Sequence, residues 1–374
     1  MAPPMLAFPR KVQGNSQTIT MASTGTSVFI VGPGFIGWNV LDLLINEGYQ
    51  VTGFVRRKEH GEQIAKSGAQ VIQGDLNDKD KITEQTAKHD ITIHTATADH
   101  LPSAEAVLDG IKQRAAKGLP AIFIHTSGTS VLDDGALNAY KSDKIYHDDI
   151  RSEIDSVPDT GPHREIDLAI VKAQKELGEK AKIAIMIPPL IYGFNPSHAR
   201  LTIQIPTLTR FALKHGYAPH VGAPGLSVES NIHVLDLARA YMILLHHLET
   251  SPASQTLENP YLFCESTGNN EPSWYDVAKV IGEGLYSAGK IPDPRPREMK
   301  EELFGDAFGG FTGAVIGLNS RSRANRLRAL GWEAREEKDW KRSFLEDELP
   351  VILKEEGEGG NGESFAGYKG IVAS

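Results

Sequence analysis

Residues 27–44 read SVFIVGPGFIGWNVLDLL, an apolar run that breaks into glycines and then takes on helical spacing. Val28, Ile30 and Val31 suit a buried parallel strand, while Ile36, Val40, Leu43 and Leu44 give the segment after it one apolar face. Gly48 is placed to end that helix. Between strand and helix, Gly32 and Gly34 let the backbone turn sharply and pass close to a pyrophosphate with no Cβ in the way; Gly37 lets the helix pack tightly on the strand. The helix start at Phe35 and Ile36 offers unpaired N–H groups and a positive dipole end to phosphates. Glycines in this spacing are weak evidence alone. With a strand before them and a helix after, they read as a dinucleotide-gripping turn, against the alternative of a glycine turn that holds nothing.

Composition bounds what such a turn can serve. With 374 residues, 40% hydrophobic and 23% charged, the chain is globular and long enough for a full core and a second lobe. A net charge of -9 and a pI near 5.8 argue against nucleic acid, which needs a basic face. Cys264 is the single cysteine, so neither an internal disulfide nor a Cys-rich metal site is available. No run is apolar enough over sufficient length to span a membrane. The expected partner is a small-molecule substrate, and the expected location the cytoplasm. Residues 1–26 carry few structure signals and read as a disordered extension in preference to a transit peptide, and residues 355–374, opening with EEGEGGNG, as a mobile acidic tail.

The alternation after the first unit is regular. Val51–Val55 reads as a second strand and ends in Arg56 and Arg57, 19 and 20 residues past Gly37. An acid there would hold a ribose 2′-hydroxyl, whereas arginine accommodates a 2′-phosphate, so NADP is favoured over NAD, with Arg56 the direct contact. The alternative is two solvated charges at a strand end. Further strands are expected at 70–73, closed by Gly74-Asp75-Leu76, and at 91–94, followed by Thr95-Ala96-Thr97-Ala98. Two more follow at 121–125, before Thr126-Ser127-Gly128, and at 183–187, before Pro188. Helical patterns between them indicate an α/β fold, a doubly wound parallel Rossmann sheet over 27–193. A smaller C-terminal substrate lobe occupies 194–354, from which 231–265 returns to the first domain.

With these pieces the chain resembles the short-chain dehydrogenase/reductase superfamily, in its extended and atypical branches, and the fungal epimerase/dehydratase-like proteins. The matching pieces are GPGFIG, GDL at 74–76, IHTA at 93–96, HTSG at 125–128, PPLIYG at 188–193, NIHVLDLARAY at 231–241 and SRANRLRALGW at 322–332. The resemblance implies that Asp75 and Leu76 flank an adenine, that Thr95, Ala96, Thr97 and Thr126 line the cofactor, and that Pro188, Leu190 and Ile191 lie by the nicotinamide. It also implies dimerisation through helices flanking the sheet. The extended branch reads GxxGxxG, and Val31 stands where its first glycine belongs.

The larger departure is at the catalytic pair. A reductase of this superfamily uses Tyr-x-x-x-Lys on the helix entering the sixth strand, with a Ser or Thr after the fifth strand to orient the carbonyl. Ser127 fits the last role. His163 and Asp167 stand where the tyrosine and lysine are expected, and aspartate cannot supply lysine's charge. Three readings follow: His163 with Ser127 as an altered acid/base pair, Tyr140 and Lys144 as a displaced dyad at the right mutual spacing, or a cofactor-binding protein without chemistry. Residues 129–161, rich in acids, emerge beside Ser127 as a candidate lid. A metal site at Asp148 and Asp149 lacks supporting histidine spacing, so no metal is expected. Helices are expected at 201–215, 231–248, 274–286, 298–304 and 339–353, and Tyr192, Asn195 and His198 are candidate substrate contacts. Two functional classes remain: NADP-dependent hydride transfer between nicotinamide and a carbonyl or alcohol, with NAD-dependent epimerisation or dehydration as a variant, or a redox-sensing module of the NmrA-like kind.

Overall fold

The computed structural model describes residues 25–266 and 270–357. The extension expected over residues 1–26 lies almost wholly outside these. So does most of the expected tail, although its first three residues complete a helix, Leu349–Gly357.

Seven strands form one parallel sheet: β1 (Ser27–Val31), β2 (Gln50–Val55), β3 (Gln70–Gln73), β4 (Ile91–His94), β5 (Ile122–Thr126), β7 (Lys182–Ile187) and β11 (Tyr261–Phe263). Their order is β11-β7-β5-β4-β1-β2-β3, and every pairing is parallel. Paired strands also include β6 (Tyr146–His147) with β13 (Ser322–Arg323), β8 (Leu190–Tyr192) with β10 (Asn231–His233), and β9 (Pro219–His220) with β12 (Arg297–Glu298). Helices cover both faces of the main sheet, so its central strands are apolar along their length: Val28 to Val31 are wholly buried. The helix Gly37–Asn46 packs on Val234–Thr250 in one layer; Lys79–Lys88, Leu101–Ala116 and Arg164–Leu177 form the other. The chain reverses direction across the sheet between β1 and β4. In such sheets the crevice that binds ligands lies at this reversal, outside the carboxyl ends of the strands.

A second apolar cluster, including Phe211, Trp274, Ile281, Phe308 and Phe344, makes the smaller lobe. Two expected helices differ. Over 298–304 the backbone pairs outward instead: Arg297 N–H donates to Ala218 O and Met299 N–H to His220 O, and only a 3₁₀ turn, Glu301–Asp306, follows. Residues 339–353 break at a π-turn, Phe344–Glu348, which aims the buried Glu348 carboxylate at the Gly193 N–H, 3.1 Å away.

The segment 129–161 is fastened along its length. Asn138 is buried, its amide nitrogen donating to Val221 O at 2.6 Å and Ile316 O at 2.8 Å. Asp148 is buried too and accepts from the backbone N–H groups of Phe263 and Arg326 at 3.0 Å each. This segment stitches the two lobes together, Asn138 to the small lobe and Asp148 to the sheet domain.

Candidate active site

At the end of β1 the three glycines have different reasons to be bare. Gly32 has φ +75, a conformation that disfavours side chains, and a Cβ there would overlap Ala96. A Cβ at Gly37 would overlap the hydroxyl of Thr95, which donates to Gly32 O at 2.8 Å. These two are required by the chain's own packing. Gly34 is not: its Cβ would meet no atom closer than Gly32 O at 3.9 Å. The space beside Gly34 is a cradle that the protein itself leaves unfilled, at the start of the helix Gly37–Asn46. Phe35 and Ile36 are half-buried in this turn, and the Asn39 amide ties it by donating to Phe35 O at 2.8 Å.

At the carboxyl end of β2, Arg56 and Arg57 are exposed. A third arginine joins them from the small lobe. Arg200 lies with its guanidinium carbon 5.2 Å from the centre of the Trp38 ring, which stacks on His198 at 4.1 Å and has His60 5.5 Å away. Burial, then the like charge of Arg57, pulls Arg200 down to about 10. Burial, then Arg200 and Arg57, pulls His60 down to about 4. Asp75 is exposed but tied in a turn, accepting from Asn77 N–H at 2.7 Å, and Leu76 packs against the sheet. Thr95, Ala96 and Thr97 follow β4 beside the glycine turn, Thr97 accepting from Asp99 N–H at 3.1 Å.

Across the crevice stand the groups at the β5 end. The Ser127 hydroxyl is buried and donates to Asp167 at 3.0 Å, so it does not meet His163 directly. His163 caps the helix Arg164–Leu177 from a left-handed backbone, φ +63. Its Nε2 lies 2.6 Å from the Ser130 hydroxyl and its Nδ1 2.6 Å from Asp99. Sequence reading missed Ser130 and Asp99, because they lie 33 and 64 residues from His163. The usable signal was position, each standing a few residues past a strand's carboxyl end.

Other candidates are held elsewhere. Tyr140 and Lys144 lie on no helix, so their spacing does not align them: the Tyr140 hydroxyl reaches Asp134 O at 3.5 Å, and Lys144 sits over the Tyr146 ring at 4.8 Å. Thr126 shares a 2.6 Å hydrogen bond with the Tyr241 hydroxyl inside the core. Pro188 O accepts from Thr129 N–H at 3.0 Å; Leu190 lies in the small-lobe core, and half-buried Ile191 accepts from the Thr202 hydroxyl at 2.7 Å. Tyr192 is buried there too, its hydroxyl donating to Lys338 O at 3.2 Å. Asn195 donates to the Asn39 side chain at 2.7 Å and His198 reaches Asp42 at 2.7 Å. Asn195 and His198 thus tie the lobe connection to the first helix, while Tyr192 is tied to Lys338.

Asp167 gives the site a pH signature. Burial pushes its carboxyl up to about 6, against the opposing pull of His163, the Ser127 hydroxyl and Arg164. An acid whose folded value exceeds the ordinary 3.8 favours folding most while protonated, so its contribution falls as pH rises from about 4 to 6 and stays low above. Asp167→Asn keeps an oxygen for Ser127 without the charge. It is expected to raise urea stability at pH 7.5 by about 2–3 kcal/mol, with no difference at pH 3.5. Equal midpoints at pH 7.5 would contradict the burial argument.

Comparisons with known proteins agree with this layout. Residues 32–152 match the family described as NAD(P)H-binding. The chain is 26% identical over 355 residues to the oxidase UcsJ of Acremonium sp, covering 88% of this chain and 97% of that one. Over 115 residues it is 29% identical to a 4-hydroxy-2-methyl-3-oxo-4-farnesyl-3,4-dihydroquinoline-1-oxide ketoreductase of Stigmatella aurantiaca, 28% of this chain and 34% of that one. Among solved structures, UDP-glucose 4-epimerase of Thermotoga maritima superposes with a TM-score of 0.59 at 16% identity, covering 89% of this chain and all (100%) of that one. Yeast methylglyoxal/isovaleraldehyde reductase complexed with NADPH superposes with a TM-score of 0.56 at 18% identity, again covering 89% and 100%. The first lobe has a Rossmann fold that contains most of the stretch matching the NAD(P)H-binding family, and the fold of the chain is that of the superposed epimerase and reductase. No described helix is long and apolar enough to cross a membrane, and no metal-binding cluster occurs among the described residues.

Proposed function

We propose that the protein is an NADP-dependent oxidoreductase that moves hydride between the nicotinamide and a carbonyl or alcohol of a small organic molecule. The observation that carries this is the empty space at Gly34, which fits a pyrophosphate approaching bare backbone beside a helix start. Preference for NADP is supported by Arg56, Arg57 and Arg200, three arginines at the β2 edge where a 2′-phosphate would lie. Half-buried Arg200, with the like charge of exposed Arg57 nearby, is costly to hold unless an anion comes between them.

When bound, the cofactor supplies or accepts the hydride. The chain's own residues handle the rest: the glycine turn holds the diphosphate, and Thr95 with Ala96 closes the crevice at β4. His163, where the superfamily has tyrosine, handles the proton. Epimerisation through a transient ketone would use the same parts with tightly held NAD, which the arginines disfavour.

Oxidation of NADPH, followed optically against a panel of aldehydes and ketones, tests the reading. Turnover with at least one carbonyl is expected. NADPH bound but never oxidised, with unequal affinity for the reduced and oxidised forms, would replace the enzyme by a redox sensor.

A further inference from the structure

The contacts of His163 define a route for a proton. The Asp99 carboxylate can only accept, so the 2.6 Å contact places the imidazole N–H at Nδ1. In the neutral ring Nε2 is then the acceptor, and the Ser130 hydroxyl donates to it at 2.6 Å. A serine bonded to an imidazole whose far nitrogen is held by a carboxylate is an activated hydroxyl wherever it arises, since the same geometry recurs on unrelated folds. The three residues come from different segments: Asp99 follows β4, Ser130 follows β5, and His163 starts the helix that leads to β7. Gly128 leaves the imidazole uncovered, because a Cβ there would stand 3.2 Å from Nε2. Ser127, by contrast, gives its hydroxyl to buried Asp167.

We propose that Asp99, His163 and Ser130 form a proton relay whose outer end, the Ser130 hydroxyl, is the catalytic acid and base for the substrate oxygen. The proposal rests on the hydride-transfer reading above. In reduction the ring starts as the imidazolium, its Nε2 proton drawn from solvent. As a bound nicotinamide would supply hydride to the carbonyl carbon, Ser130 gives its proton to the carbonyl oxygen and Oγ regains one from Nε2, leaving the neutral ring described above to be recharged by solvent. Asp99 stabilises that cation and retains the Nδ1 proton throughout. One hydride and one proton are consumed for each carbonyl reduced, and oxidation of an alcohol runs the same transfers backwards. His163 and Asp99 act through Ser130 and are positioning residues.

A fluorophosphonate reports this activation without cofactor or substrate: Oγ bonds to phosphorus, fluoride leaves, and His163 takes the proton. The full chain is treated with the reagent and read by intact mass and peptide mapping, while NADPH binding is measured in parallel by calorimetry. Labelling of Ser130 is expected, slowed about 100-fold or more in His163→Gln and about 10-fold or more in Asp99→Asn at unchanged melting temperature. In the carbonyl assay, Ser130→Ala and His163→Gln should each lose about 100-fold in kcat with little change in KM, and the double variant no more than either. No label on Ser130, labelling indifferent to His163→Gln, or wild-type kcat in Ser130→Ala would overturn the relay while leaving NADPH binding intact. Failure of the wild-type protein to bind NADPH would instead remove the hydride-transfer reading on which the relay depends.

Discussion

Gly34→Val is expected to fold as stably as the natural protein and to lose NADPH binding by about 100-fold or more, which is about 2.7 kcal/mol or more of binding free energy. The stability half of this follows from the open space around Gly34, whose Cβ would meet nothing within 3.9 Å, and from its ordinary negative φ. Such a change should move stability by no more than about 1 kcal/mol. The binding half follows because valine would occupy the volume through which a pyrophosphate reaches the backbone. Gly37→Val is the control with the opposite expectation. Its Cβ would overlap Thr95 and crowd Gly32 O, so the first helix must shift off the sheet, at a cost of about 1–3 kcal/mol or more. Melting curves and calorimetry on the two variants separate the effects. A Gly34→Val protein that binds NADPH normally would remove the diphosphate from this turn.

Arg57→Glu is expected to lower NADPH affinity about 100-fold and leave NADH within a few-fold of its starting value. Arg57 begins the helix Lys58–Lys66 at the β2 edge, and its charge is felt by both Arg200 and His60. The site therefore holds positive charge from two lobes. Arg200→Gln tests the second lobe's share and should cost NADPH about 10-fold on its own, again sparing NADH. The neighbouring Arg56→Ala ranks the direct contact that its sequence position suggests. Equal losses for the two cofactors in Arg57→Glu would place the arginine at the shared diphosphate, and no loss for either would leave it a solvated surface charge.

Much of the fold was legible because its signals are local. The apolar runs of β1, β4, β5 and β7 must be continuous when both faces of a parallel sheet are covered, and Gly48, with φ +86, follows the end of the first helix where expected. The segments that strayed were those whose backbone partners are distant. Residues 297–299 pair with 218–220, and Glu348 turns inward toward Gly193. The site was legible only at positions the glycines and strand ends announce. His163 stood out because it replaces a tyrosine, but its partners depend on how three strand ends converge, which no spacing in the chain records. Tyr192, Asn195 and His198 read as substrate contacts because they are polar residues beside a cofactor edge. The hydrogen bonds they make to Lys338, Asn39 and Asp42 join segments too distant for any local signal to announce.

Calorimetric titration of the full chain with NADPH and with NADH tests the central claim most directly. The account predicts saturable heat with NADPH, weaker binding of NADH, and a rise in melting temperature that follows the same order. No heat and no shift in melting with either nucleotide at millimolar concentration would contradict it, and would leave the three glycines as packing alone.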